Sequence, residues 1–221
     1  MIEAVIFDVD GTLLDSNNQH AMAWADAFRE HGYDIPFHSI RRQIGKGGDQ
    51  LMPVFLSRTE IERDGKAIER DRGEIFKKLY LASVVAFPDV RALFQRLQAD
   101  GKQLALASSA KGEELERYKK IAGIADLIDE QTTSDDADSS KPEPDIFQAA
   151  LKRLHIATPA NAIVVGDTPY DAEGAAKAGL QTIGLRCGGW TDAELCRAGV
   201  IAVYRDPAEL LALYSRSPLV G

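Results

Sequence analysis

An α/β protein built on a doubly wound parallel sheet is the expectation that three features of the chain support. Residues 4–7 form an unbroken apolar run, Ala4-Val5-Ile6-Phe7, that stops at Asp8 and is followed by Asp10 and Gly11. A short run without alternation is the pattern of a strand buried on both faces. From Phe87 onwards, short apolar runs alternate with helix-length periodic segments, the rhythm of parallel strands joined by crossover helices. Between these two regions the periodicity is helical, with no strand pattern. The chain therefore divides into a core of residues 1–15 and 86–221 and a helical insert, residues 16–85, placed after the first strand.

Ser16 stands where it can cap a helix from Asn17 to His31, with Ala21, Trp24, Ala25 and Phe28 on one apolar stripe and Gly32 closing it. Pro36 to Ile44 and Asp49 to Leu56 read as short helices around Gly45-Lys46-Gly47-Gly48. Arg58 to Ala82 reads as one long helix, because Ile61, Ile68, Ile75 and Ala82 recur at a seven-residue spacing and charges of both signs fill the remaining faces. Pro88 suits the first turn of a helix running through Leu93 and Leu97 to Gly101. Gln103 to Ala107 is a strand ending at Ser108 and Ser109. A helix from Gly112 to Ala122 and a weaker strand from Glu130 to Thr133 follow. Beyond an acidic loop (Asp135, Asp136, Asp138), the segment Ser140-Lys141-Pro142-Glu143-Pro144-Asp145 leads into a helix reaching Leu154. Ala162 to Val165 is a strand delivering Gly166 and Asp167. The remainder alternates: helix Asp171 to Ala178, strand Gln181 to Leu185, helix Thr191 to Arg197, strand Val200 to Tyr204 and helix Pro207 to Leu213.

Composition narrows the function. At 24.1 kDa with 45% hydrophobic residues the chain can bury a substantial core. A formal net charge of -8, with no basic block free of interleaved acids, argues against nucleic acid or an anionic membrane as partner. The N-terminus lacks the basic and apolar regions of a signal peptide, and no stretch approaches the ~18 apolar residues of a membrane span; a cytoplasmic protein is expected. Cys187 and Cys196 make neither a disulfide framework nor a CxxC motif, and both read as small buried hydrophobes. His20, His31, His38 and His155 are too scattered for a histidine metal site.

Two carboxylates at the end of a buried strand raise one another's pKa unless a cation holds them. Asp8 and Asp10 therefore point to a metal and a reaction; the alternative is a turn with solvated aspartates. In doubly wound sheets of order 3-2-1-4-5-6, ligands bind beyond the carboxyl ends of the strands where the order reverses. That order brings Asp8 and Asp10, Ser108 and Asp167 to one rim.

The segments DVDGT at 8–12, LASS at 106–109, SKPEPDIF at 140–147 and VGDTPYD at 165–171 closely resemble, in order, the four motifs of the haloacid dehalogenase-like hydrolases, in the phosphoglycolate phosphatase and β-phosphoglucomutase-like branch. The insert is similar to that family's mobile cap domain, so the resemblance spans the chain. It implies that Asp8 is a nucleophile forming an aspartyl-phosphate and Asp10 a general acid and base. Mg²⁺ is the implied cofactor, held by the carboxylates of Asp8 and Asp167 and the backbone carbonyl of Asp10. Ser108 and Lys141 would hold phosphoryl oxygens, with Ser109 a substrate contact. Asp171 would support either the metal or Lys141, or simply cap its helix. Lys46 and Arg72 are the insert cations expected to reach substrate. The dehalogenase branch lacks the second acid, which Asp10 supplies here, so phosphate transfer is favoured. His20 and Trp24 match the early cap helix of the sugar phosphomutases, but GKGGDQ at 45–50 replaces their serine-arginine loop, which favours a phosphatase. A non-enzymatic binding module would be expected to have lost Asp8 or Asp10. The expected partner is a small phosphorylated metabolite, for a chain working as a monomer or homodimer.

Overall fold

The computed structural model describes residues 1–220. Strand β1 (Ala4–Phe7) lies at the centre of a six-stranded sheet, and the chain then makes a short strand β2 (Leu14–Asp15) before leaving for the insert. The insert comprises α1 (Asn17–Glu30), α2 (Phe37–Arg41), α3 (Gly48–Leu51) and α4 (Arg58–Ile75). Strand β3 (Val85–Ala86) returns beside β2 as a two-stranded antiparallel ribbon. The remainder is α5 (Val90–Ala99), β4 (Gln103–Ala107), α6 (Gly112–Ala122), β5 (Glu130–Thr132), α7 (Asp145–Arg153), β6 (Ala162–Gly166), α8 (Pro169–Lys177), β7 (Gln181–Leu185), α9 (Asp192–Arg197), β8 (Ala202–Tyr204) and α10 (Pro207–Ala212). The large sheet has the order β5-β4-β1-β6-β7-β8 with every neighbouring pair parallel, which is the expected 3-2-1-4-5-6.

The pleat explains why β1 is apolar throughout. Val5 and Phe7 face one core layer, with Phe94 and Leu97 of α5 and Leu210 of α10, whereas Ala4 and Ile6 face the other, with Phe147 and Ala150 of α7 and Ala175 of α8. The insert has its own apolar cluster: Trp24, Ala27 and Phe28 of α1 pack with Ile40, Leu51, Met52, Leu56 and Ile68. Among the described residues no helix is long and apolar enough to cross a membrane.

Several local expectations are corrected. The long helix stops at Ile75, and Phe76–Tyr80 form a π-helical turn followed by a 3₁₀ turn, Leu81–Ser83. The wider turn rotates the following side chains out of the seven-residue pattern, so Phe76 and Leu81 are buried and Ala82 is exposed. Pro88 lies outside α5, because Asp89 at the helix entry is left-handed with φ 60°. Ser16 occupies the N-cap position of α1, but its hydroxyl makes no cap hydrogen bond. Cys196 is exposed on α9 rather than buried, and Cys187 is only partly buried.

The insert sits against the carboxyl rim of the sheet. Arg42 lies 3.5 Å over the Trp190 ring and pairs with Glu194 at 2.5 Å, and Tyr170 donates to the Arg42 carbonyl at 2.7 Å. The Ser140 amide donates to Asp49 at 3.0 Å. A Cβ on Gly47 would come within 2.1 Å of the Ser140 hydroxyl, so the loop can approach the rim only because that residue is glycine.

Candidate active site

The order reverses between β1 and β6, and the residues leaving those strands converge there. Beyond Phe7 the chain turns sharply: the Leu13 amide donates to the Val9 carbonyl at 2.9 Å, and Gly11 adopts φ +82°. The turn returns the Thr12 hydroxyl to 2.9 Å from Asp8 Oδ2 and 3.0 Å from Asp167 Oδ1. One hydroxyl proton serves only one of the two carboxylates at a time.

Lys141 is 1% exposed, with its ammonium 2.5 Å from Asp8 Oδ1, 2.9 Å from Asp171 Oδ1 and 3.0 Å from the Ala107 carbonyl. Asp8 and the Ala107 carbonyl accept hydrogen bonds from it, and Asp171 Oδ1 is its ion-pair partner. Burial alone would lower its pKa, but Asp171 and Asp8 carry it well above the ordinary lysine value. The other oxygen of Asp171 accepts from the Thr168 amide at 3.0 Å and the Thr168 hydroxyl at 2.7 Å, closing a capping box at the start of α8. Asp171 therefore touches Lys141 and caps its helix with separate oxygens.

Carboxylate oxygens of Asp8, Asp167 and Asp171 lie within 4.8 Å of one another, all buried. Burial pushes the Asp8 carboxyl up to about 7 despite the nearby Lys141. Burial, reinforced by Asp8 and Asp171, drives Asp167 well above the carboxylate range. One lysine does not balance three acids. The remaining negative charge is offset either by protons or by a cation, and a set of hard carboxylate oxygens suits Mg²⁺. The residues therefore fit a divalent metal.

The Asp10 carboxylate stands apart from that trio. Its Oδ1 accepts from the Ser16 hydroxyl at 2.5 Å and from His20 Nε2 at 2.9 Å. Burial would raise its pKa, but His20 and Ser16 outweigh burial and hold it below the usual carboxylate range. His20, on α1, stacks on Phe76 at 4.0 Å and lies 3.0 Å from the Tyr118 oxygen, while Tyr118 donates to Glu114 at 2.7 Å. Because the Tyr118 proton goes to Glu114, its oxygen is free to accept, and a hydrogen on His20 Nε2 is shared between Asp10 and Tyr118.

Ser108 is buried at the end of β4, where its hydroxyl accepts from the Ala110 amide at 3.1 Å, with Ser109 partly buried beside it. Lys46 is engaged at the seam: it donates to Gln43 at 2.7 Å and lies 4.6 Å over the Tyr170 ring. The Arg72 guanidinium lies 5.3 Å from the Trp24 ring centre, and its buried Nε has no partner. Sequence reasoning missed the contacts of Thr12, Ser16, Asn17, Tyr118 and Glu114. Thr12 lay inside the DVDGT segment and could have been found there; the others gave no local signal.

Carboxylates gathered around one buried lysine at the switch point of a parallel sheet make an acid-rich site where α/β proteins bind their ligands. The family model for haloacid dehalogenase-like hydrolases matches residues 2–179, and the chain belongs to that family. A hydrolase from Pseudomonas syringae superposes with a TM-score of 0.88 at 29% identity, covering 96% of this chain and 98% of that one. Among curated relatives, a phosphorylated carbohydrates phosphatase from Thermotoga maritima is 27% identical over 95% of this chain and 97% of its own length. A validoxylamine A 7'-phosphate phosphatase from Streptomyces hygroscopicus subsp. limoneus is 27% identical over 84% of this chain and 86% of its own.

Proposed function

We propose that the protein is a magnesium-dependent phosphatase that hydrolyses small phosphomonoesters through an aspartyl-phosphate on Asp8. The observation that carries this reading is the separation of the first two acids. Asp8 sits inside the carboxylate trio against Lys141, whereas Asp10, two residues on, is turned to Ser16 and His20. Equivalent turn acids would share one environment; a nucleophile and a proton carrier need different ones.

In this reading an Asp8 carboxylate oxygen attacks phosphorus while the ester oxygen leaves, taking a proton from Asp10. Asp10 then takes a proton from the water that attacks the aspartyl-phosphate, which releases inorganic phosphate and restores both carboxyl groups. The donors from Ser16 and His20 favour the ionised form of Asp10 that the second step uses. Mg²⁺ held by Asp8 and Asp167 would offset the charge of the transferring phosphoryl group. Lys141 and Ser108 hold phosphoryl oxygens, and Asp171 keeps Lys141 charged and aimed. Residues 16–85 act as a cap hinged at the β2–β3 ribbon. Arg72, whose buried Nε is unpaired, is the better candidate for substrate contact; Lys46 steadies the cap against Tyr170.

The test is release of inorganic phosphate from a panel of phosphomonoesters, beginning with phosphorylated carbohydrates, in Mg²⁺ and in excess chelator. Metal-dependent phosphate release is expected. Isomerisation of a sugar phosphate with negligible release would make the protein a phosphomutase instead, and full turnover by demonstrably metal-free protein would remove the magnesium assignment.

A further inference from the structure

Asn17 is the first residue of α1, 2% exposed, yet its side chain does not serve the helix. Its Nδ2 donates to Asp167 Oδ2 at 2.9 Å and reaches the Gly188 carbonyl at 3.4 Å, while Oδ1 is buried with no partner. The space is closed from both sides. A Cβ on Gly11 would lie 2.0 Å from Asn17 Nδ2 and 2.4 Å from Asp167 Oδ2, and one on Gly188 would lie 1.7 Å from Asp167 Oδ2.

Residue type is informative as well. The first turn of α1 contains no acid, although an acid there would interact favourably with the helix dipole. At position 17 an acid would confront Asp167, whereas an amide can donate to it. The reverse amide orientation would set Oδ1 against the Asp167 carboxylate, so the network fixes the flip. Asp167 Oδ2 thus has a dedicated donor in Asn17, whereas Oδ1 shares the single Thr12 proton with Asp8.

We infer that Asn17 is a positioning residue: its amide nitrogen fixes the Asp167 carboxylate. The inference rests on the reading of Asp167 as a metal ligand. It makes the first residue of α1 part of the support of the metal site, 150 positions away in sequence from the carboxylate it holds. Groups that orient ligands in this way typically change metal affinity about 10- to 100-fold when removed.

The experiment is a calorimetric titration of chelator-stripped full-length protein with MgCl₂, comparing the unaltered chain, Asn17→Ala, Asn17→Ser and, as benchmark, Asp167→Asn. The melting temperature of each metal-free protein is measured in parallel. Asn17→Ala is expected to bind Mg²⁺ about 10- to 100-fold more weakly, with a metal-free melting temperature close to that of the unaltered chain. Asn17→Ser, which retains a shorter polar group, should fall between them, and it carries the test if the alanine variant does not fold. Affinity within twofold of the unaltered chain in both variants overturns the inference, as does a lowered melting temperature with unchanged affinity, which would make Asn17 structural. If the unaltered chain binds no Mg²⁺ while remaining folded, the metal reading itself fails; the two failures are therefore distinct.

Discussion

Replacing Lys141 with methionine keeps most of the side-chain volume and removes the charge. The variant leaves Asp8 and Asp171 buried without the ammonium that pairs with both, and strands the Ala107 carbonyl that accepts from Nζ at 3.0 Å. Removing one partner of a buried ion pair costs about 3–5 kcal/mol. At about 2–4 °C per kcal/mol for a chain of this size, the melting temperature should fall by about 6–20 °C. The lower part of that range is expected at mildly acidic pH, because the acids can take up protons in place of the lysine. The assay is denaturant unfolding followed by circular dichroism, with chelator present, at pH 7.5 and pH 5.5. Asp171→Asn in the Lys141→Met background should recover part of the loss, since it removes one of the repelling charges 2.9 Å from the former ammonium. A loss below about 1 kcal/mol, the scale of an exposed ion pair, would refute the reasoning. So would a double variant whose loss equals the sum of the single ones.

Two further outcomes follow from the site. Burial raises the Asp8 carboxyl to about 7 and Asp167 well above the ordinary value, so the metal-free folded state holds protons that the unfolded chain has lost. Its stability should therefore fall as pH rises from the ordinary carboxylate range towards 7. Over the same window the gain in melting temperature on adding Mg²⁺ should grow as protons cease to compete; a gain independent of pH would count against the trio as the metal site. Gly188→Ala should displace Asp167, because its Cβ would lie 1.7 Å from Oδ2. Overpacking of this kind costs about 1–3 kcal/mol, and Mg²⁺ affinity should drop with stability; unchanged affinity in calorimetry would show that Asp167 has room to move.

What was legible in the sequence was whatever short-range pattern controls. Ala4 to Phe7 could be placed as a strand buried on both faces because it is apolar throughout, and the alternation after Phe87 pointed to a parallel sheet; the order that gathers Asp8, Ser108 and Asp167 at one rim was that of the doubly wound class, and the sheet has it. Lys141 and the roles of the acids came from the resemblance of four segments, not from periodicity. The π turn at Phe76–Tyr80 escaped because the isoleucine spacing continues through Ala82 without marking the wider turn. Ser16 looked like a helix cap, the usual local choice for that residue, but Asp10 competes for its hydroxyl from six positions away. Asn17, Tyr118 and Glu114 were invisible because their contacts depend on how the insert docks on the core.

The most direct measurement is a rapid-quench reaction with p-nitrophenyl phosphate and Mg²⁺, comparing the unaltered chain with Asp8→Asn and Asp10→Asn. The environments of the two acids assign attack to Asp8 and proton transfer to Asp10. p-Nitrophenol needs little help in leaving, so Asp10→Asn should chiefly slow attack of water on the phosphoenzyme. It should therefore give a clearer stoichiometric burst than the unaltered chain, with acid-stable label on Asp8, whereas Asp8→Asn should give neither burst nor label. Label in Asp8→Asn together with none in Asp10→Asn would contradict the assignment of the two carboxylates.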